Sequence, residues 1–179
     1  NEVVIEIKSA ALNFPDYLIV QGLYQIKPPL PFVPGNEGAG VIKKIGDDVV
    51  SHKVGDRVYF MSGIGAFAEE ISLDQNQVFK MENEMAFDVA ASYQLAYGTS
   101  FHALVQRANI ASGDEVLVLG GSGGVGLAAI DIAKAFGARV IAAVSTNEKS
   151  KICTEYGADE VIIYGCLLYT SDAADDSLR

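Results

Sequence analysis

The chain predicts an α/β protein in two parts: a β-rich barrel domain, then the first half of a doubly wound parallel sheet. Three observations carry this. Residues 1–107 hold short apolar runs separated by glycine and proline, at 3–11, 38–46, 56–60 and 65–71. The run Val116, Leu117, Val118, Leu119 enters a glycine turn in which Gly121, Gly123 and Gly126 spell G-x-G-x-x-G. A helical pattern at 127–136 and a second apolar run at 140–144 follow, which is the β-α-β context that this spacing requires.

The elements follow in order. Proline and glycine cluster over 28–40 and exclude a helix there. A helical pattern occupies 87–106, with Asp88 near its start, and Ser112-Gly113-Asp114-Glu115 turns the chain into the strand that precedes the glycines. Asn147 is expected to N-cap a helix ending at Tyr156, with Gly157 as its C′ residue. A third strand occupies 160–164. Three parallel strands make half of a doubly wound sheet, so the strand at 116–119 lacks one neighbour. The chain as written is therefore expected to expose an apolar edge, to dissolve poorly and to be inactive.

The glycine turn indicates a phosphate ligand. Gly121 is expected to make the tight turn off the strand, Gly123 to let backbone N–H groups approach a pyrophosphate, and Gly126 to bring helix and sheet together. Ser122, Gly124 and Val125 complete the loop. Unpaired N–H groups and the positive end of the helix dipole both favour an anion there.

Composition narrows the partners. The net charge of −10 argues against a nucleic-acid-binding face, and at 50% hydrophobic the 179 residues contain no apolar run of about 18 that would span a membrane. No leader segment is visible. Cys153 and Cys166 form neither a disulfide framework nor a zinc pattern, which fits a reducing cytoplasm. The chain opens inside an alternating strand without an initiator Met, so upstream residues are expected. From Cys166 to Asp176 the string resembles the translated read-through of a transposase-type sequencing adapter, and residues 166–179 are expected to be a non-native tail.

Residues 1–165 resemble the zinc-independent quinone oxidoreductase branch of the medium-chain dehydrogenase/reductase superfamily. The resemblance rests on Leu12-Asn13-Phe14-Pro15-Asp16, Gln21-Gly22-Leu23-Tyr24, Pro34-Gly35-Asn36-Glu37-Gly38-Ala39-Gly40, Val54-Gly55-Asp56-Arg57-Val58, Tyr97-Gly98-Thr99 and the loop at 120–126. It implies a GroES-like catalytic domain at 1–107, a partial Rossmann domain at 108–165 and a natural enzyme about twice this length. It also implies homodimers among full-length relatives. Zinc members of the superfamily carry Cys at the place of Asn13, His at the place of Asn36 and a further ligand near Leu95, and none of these residues is an ordinary catalytic zinc ligand. The cysteine-rich zinc lobe is missing between Phe60 and Glu69. His52 and His102 read as structural.

The cofactor reading comes from the second strand's end. NAD-specific folds place a carboxylate there for the adenosine ribose; here Ser145, Thr146 and Asn147 follow the strand, and Lys149 lies a turn onward to attract a 2′-phosphate. NADPH is the expected cofactor, with Tyr164 bordering the ribose phosphate by resemblance. Without metal, the substrate is a small molecule already electrophilic, a quinone or a conjugated carbonyl. The resemblance implies Asn13, Tyr24 and Thr99 as catalytic candidates: an uncharged amide, a phenol that donates a proton or stacks, and a threonine near the nicotinamide amide. Glu37 reads as a structural or electrostatic residue of the turn at 35–40. Reduction of quinones is the leading activity. The alternatives are an enoyl-thioester or 2-alkenal reductase, and a non-catalytic NADPH-binding protein.

Overall fold

β1 (Glu2–Ala11) alternates as the sequence predicts, placing Val3 and Ile5 in a core with Ile42, Val58 and Phe60. The computed structural model describes residues 1–164, so the expected tail at 166–179 lies outside the described residues. After β1, α1 (Phe14–Val20) is a short helix that periodicity did not reveal. Its local signals are present all the same: Asn13 at the N-cap, Pro15 in the first turn, and an Asp16 carboxylate that accepts from the Asn13 backbone N–H at 2.8 Å.

β2 (Glu37–Ile45), β3 (Arg57–Met61), β4 (Glu70–Asp74) and β5 (Val78–Lys80) complete an antiparallel sheet in the order β4-β1-β2-β3-β5. The edge strands β4 and β5 are joined by a single 3-10 turn, Gln75–Gln77, so the sheet must curl to bring its edges together. Gly40 allows β2 to lie against β1: a Cβ there would meet the Glu6 carbonyl oxygen at 2.1 Å. The expected strand at 65–71 is corrected to β4, which starts only at Glu70. Gly65 there has φ +99°, outside the extended region, and its N–H bonds to the Val33 carbonyl instead of a sheet neighbour.

The helical pattern at 87–106 is also corrected. It divides into α2 (Phe87–Ala91), α3 (Gln94–Phe101) and a π-helical segment, His102–Arg107. Ser92 ends α2 because its hydroxyl bonds back to the Asp88 and Val89 carbonyls, drawing the backbone out of the ladder. The described chain falls into two units, Asn1–Leu95 and a second beginning at Ala96.

The second unit holds β6 (Glu115–Leu119), α4 (Gly124–Ala135), β7 (Arg139–Val144), α5 (Asn147–Glu155) and β8 (Glu160–Ile163). The strands are parallel in the order β6-β7-β8, as half of a doubly wound sheet requires. Val118, Ile130, Ala133, Val140, Ala142 and Cys153 form its core. Among the described residues β6 pairs only with β7, and Leu117 and Leu119, on the face opposite Val118, are exposed. The N-cap of α5 is Thr146, whose hydroxyl accepts from the Lys149 N–H; Asn147, expected in that role, is the first helical residue. Gly157, at φ +99°, follows α5 as its C′ residue. No described helix is long and apolar enough to cross a membrane.

Candidate functional site

β6 runs into the glycine loop, and the loop's geometry is set residue by residue. The left-handed turn off the strand belongs to Gly120, at φ +68°, and not to Gly121 as the spacing suggested. Gly121 serves packing instead, since a Cβ there would lie 3.0 Å from the Ala142 Cβ and 3.2 Å from the Cys153 Sγ. Gly123 is the N-cap of α4, so no capping side chain accepts from the N–H groups of the helix's first turn. Gly126 lies where a Cβ would meet the Gly120 carbonyl oxygen at 2.6 Å and the Gly121 backbone at 2.8 Å. This close approach holds the first turn of α4 over the end of β6. The result is a cradle of N–H groups at the positive end of a helix, which suits a pyrophosphate.

Beside the cradle is a hollow of about 340 Å³ lined by Gly120, Ser122, Gly123, Val144, Ser145, Lys149 and Tyr164. Five of the residues singled out for the cofactor therefore meet in one place: Ser122, Gly123, Ser145, Lys149 and Tyr164. Lys149 reaches across from α5, its Nζ donating to the Ser145 Oγ at 3.1 Å. Tyr164 is fixed by its N–H, which bonds to the Val144 carbonyl at 2.9 Å. Among the described residues no acidic side chain lines the hollow. Cys153, beneath Gly121, is fully buried, and burial pushes its thiol pKa up.

Within the first unit, half-buried Asn13 is bonded to buried Glu37. The Asn13 Nδ2 donates to one Glu37 oxygen at 2.8 Å, and the backbone N–H of Leu95 donates to the other at 2.8 Å. Glu37 is 1% exposed. Desolvation raises its pKa above the ordinary value, the hydrogen bonds from Leu95 and Asn13 oppose that rise, and Asp16 adds to it. Glu37 opens β2 and does not belong to a turn, which corrects the sequence-based reading. The Asn13 amide, in turn, is partly committed to Glu37. Its N-cap position and this bond were missed by periodicity.

Tyr24 is half-buried after α1, its N–H bonding to the Leu18 carbonyl. Thr99 is exposed on α3, in the second unit. His52 bonds through Nε2 to the Gln75 carbonyl, and His102 through Nδ1 to Gln106. Among the described residues no group of three His, Cys, Asp or Glu side chains converges as metal ligands. Of the residues that the resemblance sets where zinc members carry ligands, Asn13 and Asn36 are amides and Leu95 is apolar, and Asn13 already donates to Glu37. This donor set does not fit a catalytic zinc ion.

Residues 1–83 match the alcohol dehydrogenase GroES-like domain family, and residues 124–176 match the zinc-binding dehydrogenase family. The chain is 40% identical to quinone oxidoreductase-like protein 2 of Rattus norvegicus over 164 residues, which is 91% of this chain and 47% of the relative. To the quinone oxidoreductase of Homo sapiens it is 38% identical over 162 residues, 90% of this chain and 49% of the relative. It therefore spans about half the length of these curated relatives. The crystal structure of Escherichia coli quinone oxidoreductase complexed with NADPH superposes with a TM-score of 0.87 at 32% identity, over 98% of this chain and 53% of that one.

Proposed function

Because the chain belongs to the medium-chain dehydrogenase/reductase superfamily, among its quinone oxidoreductase-like members, we propose that the protein carrying it is an NADPH-dependent, zinc-independent oxidoreductase that reduces quinones. The observation that carries the proposal is the hollow at the end of β7, where Lys149 is bonded to Ser145 beside an uncapped helix N-terminus. NADPH, when bound, supplies a hydride. The chain's own residues do the rest. First-turn N–H groups of α4 offset the pyrophosphate charge, and the Lys149 ammonium meets the 2′-phosphate. Among the described residues no carboxylate lines the hollow to repel that phosphate.

A quinone carbonyl is electrophilic enough to be reduced without a Lewis acid, so the protein's task is orientation. Thr99 is assigned to the nicotinamide amide and Asn13 to the acceptor. Tyr24 is assigned to stacking on the acceptor or to proton donation. The fit of the donor set supports the exclusion of zinc, since an amide pledged to Glu37 is a poor exchange for a thiolate.

Two measurements on the full-length protein test this. With NADPH, the specificity constant for 1,4-benzoquinone should exceed that for crotonyl-CoA; the reverse order would identify an enoyl reductase, and turnover of neither would leave a binding protein. Ser145→Asp should shift the NADPH:NADH ratio of specificity constants toward NADH by about tenfold, through repulsion of the 2′-phosphate worth roughly 1.4 kcal/mol. An unchanged ratio would count against the assignment.

A further inference from the structure

Thr99 and Ser100 are neighbours on α3 with opposite surroundings. Thr99 is exposed, while Ser100 is 2% exposed. The Ser100 Oγ donates to the backbone carbonyl of Val125 at 2.8 Å. Val125 belongs to the first turn of α4, the same turn whose N–H groups form the phosphate cradle. A carbonyl oxygen has two lone pairs, so this bond adds to the helix ladder without replacing it. One turn earlier on α3, the Tyr97 hydroxyl donates to the Asp131 carboxylate at 2.9 Å, further along α4. Two lateral bonds three residues apart fix both the slide and the rotation of α3 along α4.

The backbone makes these bonds matter. Directly after α3 the chain enters the π-helical segment His102–Arg107, with the Ala108 N–H reaching back to the Ala103 carbonyl. The ordinary α-helical ladder stops there, so the register of α3 depends on its side contacts.

We propose that Ser100 is a positioning residue: by tying α3 to the first turn of α4, it sets Thr99 at the distance from the phosphate cradle at which both ends of NADPH are held at once. The inference rests on the cofactor reading above. Its test compares NADPH with 2′,5′-ADP, which keeps the adenosine, the 2′-phosphate and the adenosine-side phosphate of the bridge but lacks the second bridge phosphate and the nicotinamide riboside, as ligands of the full-length protein and its Ser100→Ala variant. A general loosening of the fold weakens both ligands. Loss of register weakens only the one that reaches Thr99. The expected result is NADPH binding weakened about tenfold and 2′,5′-ADP binding changed by less than about twofold. Tyr97→Phe should act in the same direction but more weakly, and it decides the matter if Ser100→Ala does not fold. Equal weakening of both ligands, or no change in either, would overturn the proposal. Failure of the unaltered protein to bind NADPH at all would overturn the cofactor reading itself.

Discussion

Replacing Gly126 with alanine is expected to weaken NADPH binding by at least about a hundredfold, a loss of roughly 2.7 kcal/mol. The added methyl meets backbone on every side: the Gly120 carbonyl oxygen at 2.6 Å, and the Gly121 carbonyl carbon and Cα at 2.8 Å. Backbone cannot swing aside as a long side chain can, so the first turn of α4 must lift away from β6. Overpacking of this kind also costs about 1–3 kcal/mol of stability. Gly123→Ala is the control for loop shape and stability, not for affinity, because Gly123 itself lines the hollow. Its methyl would find only the Gly120 oxygen, at an ordinary 3.5 Å, so the loop should keep its shape. Titration of the two variants with NADPH, alongside their denaturation midpoints, checks the pair. Equal affinity in Gly126→Ala and the unaltered protein would show that the close approach of α4 to β6 does not build the cradle.

Glu37→Ala should destabilise the first unit by about 2–4 kcal/mol at neutral pH, because it leaves the Asn13 amide and the Leu95 N–H without their acceptor. Glu37→Gln keeps the shape but brings an NH₂ group against one of two donors. It should cost less in stability, and should still disturb Asn13. The pH dependence follows from the direction of the shift. Desolvation raises the pKa of Glu37 in the fold, so protonation is easier there than in the unfolded chain. The stability linked to this group is present in full below the ordinary glutamate pKa and is lost as pH rises through the raised value. Denaturation midpoints followed from pH 4 upward should fall less steeply in Glu37→Gln than in the unaltered protein. Identical slopes would mean that Glu37 is not the titrating group.

The fold was legible where a pattern repeats or a glycine has one purpose. Alternation in Val3 to Ile7 marked β1, and the run from Val116 through Val144 marked a strand, helix and strand that the structure contains in that order. Gly157 ended α5 as expected. What stayed hidden was decided by contacts between residues distant in sequence or by competing local bonds. α1 is too short to show a period, and Asn13 signals it only through capping. Ser92 breaks the helical pattern with its own hydroxyl, and the strand expected at 65–71 gives way to a loop tied to Val33. In the hollow beside the glycine loop, residue types and spacing pointed to Ser145 and Lys149, and the family resemblance to Tyr164. Which glycine turns the chain, and that Glu37 holds Asn13, are decided by the three-dimensional packing and leave no local pattern in the sequence.

The central claim is that the hollow between the glycine loop and Lys149 selects a nucleotide bearing a 2′-phosphate. Isothermal titration of the full-length protein with NADPH and NADH, repeated with Lys149→Ala, tests it most directly. Loss of a charge-assisted contact worth about 1.5–3 kcal/mol predicts NADPH binding at least about tenfold tighter than NADH, with Lys149→Ala closing most of the gap and leaving NADH affinity unchanged. NADH binding as tightly as NADPH, or a gap that survives Lys149→Ala, would contradict it.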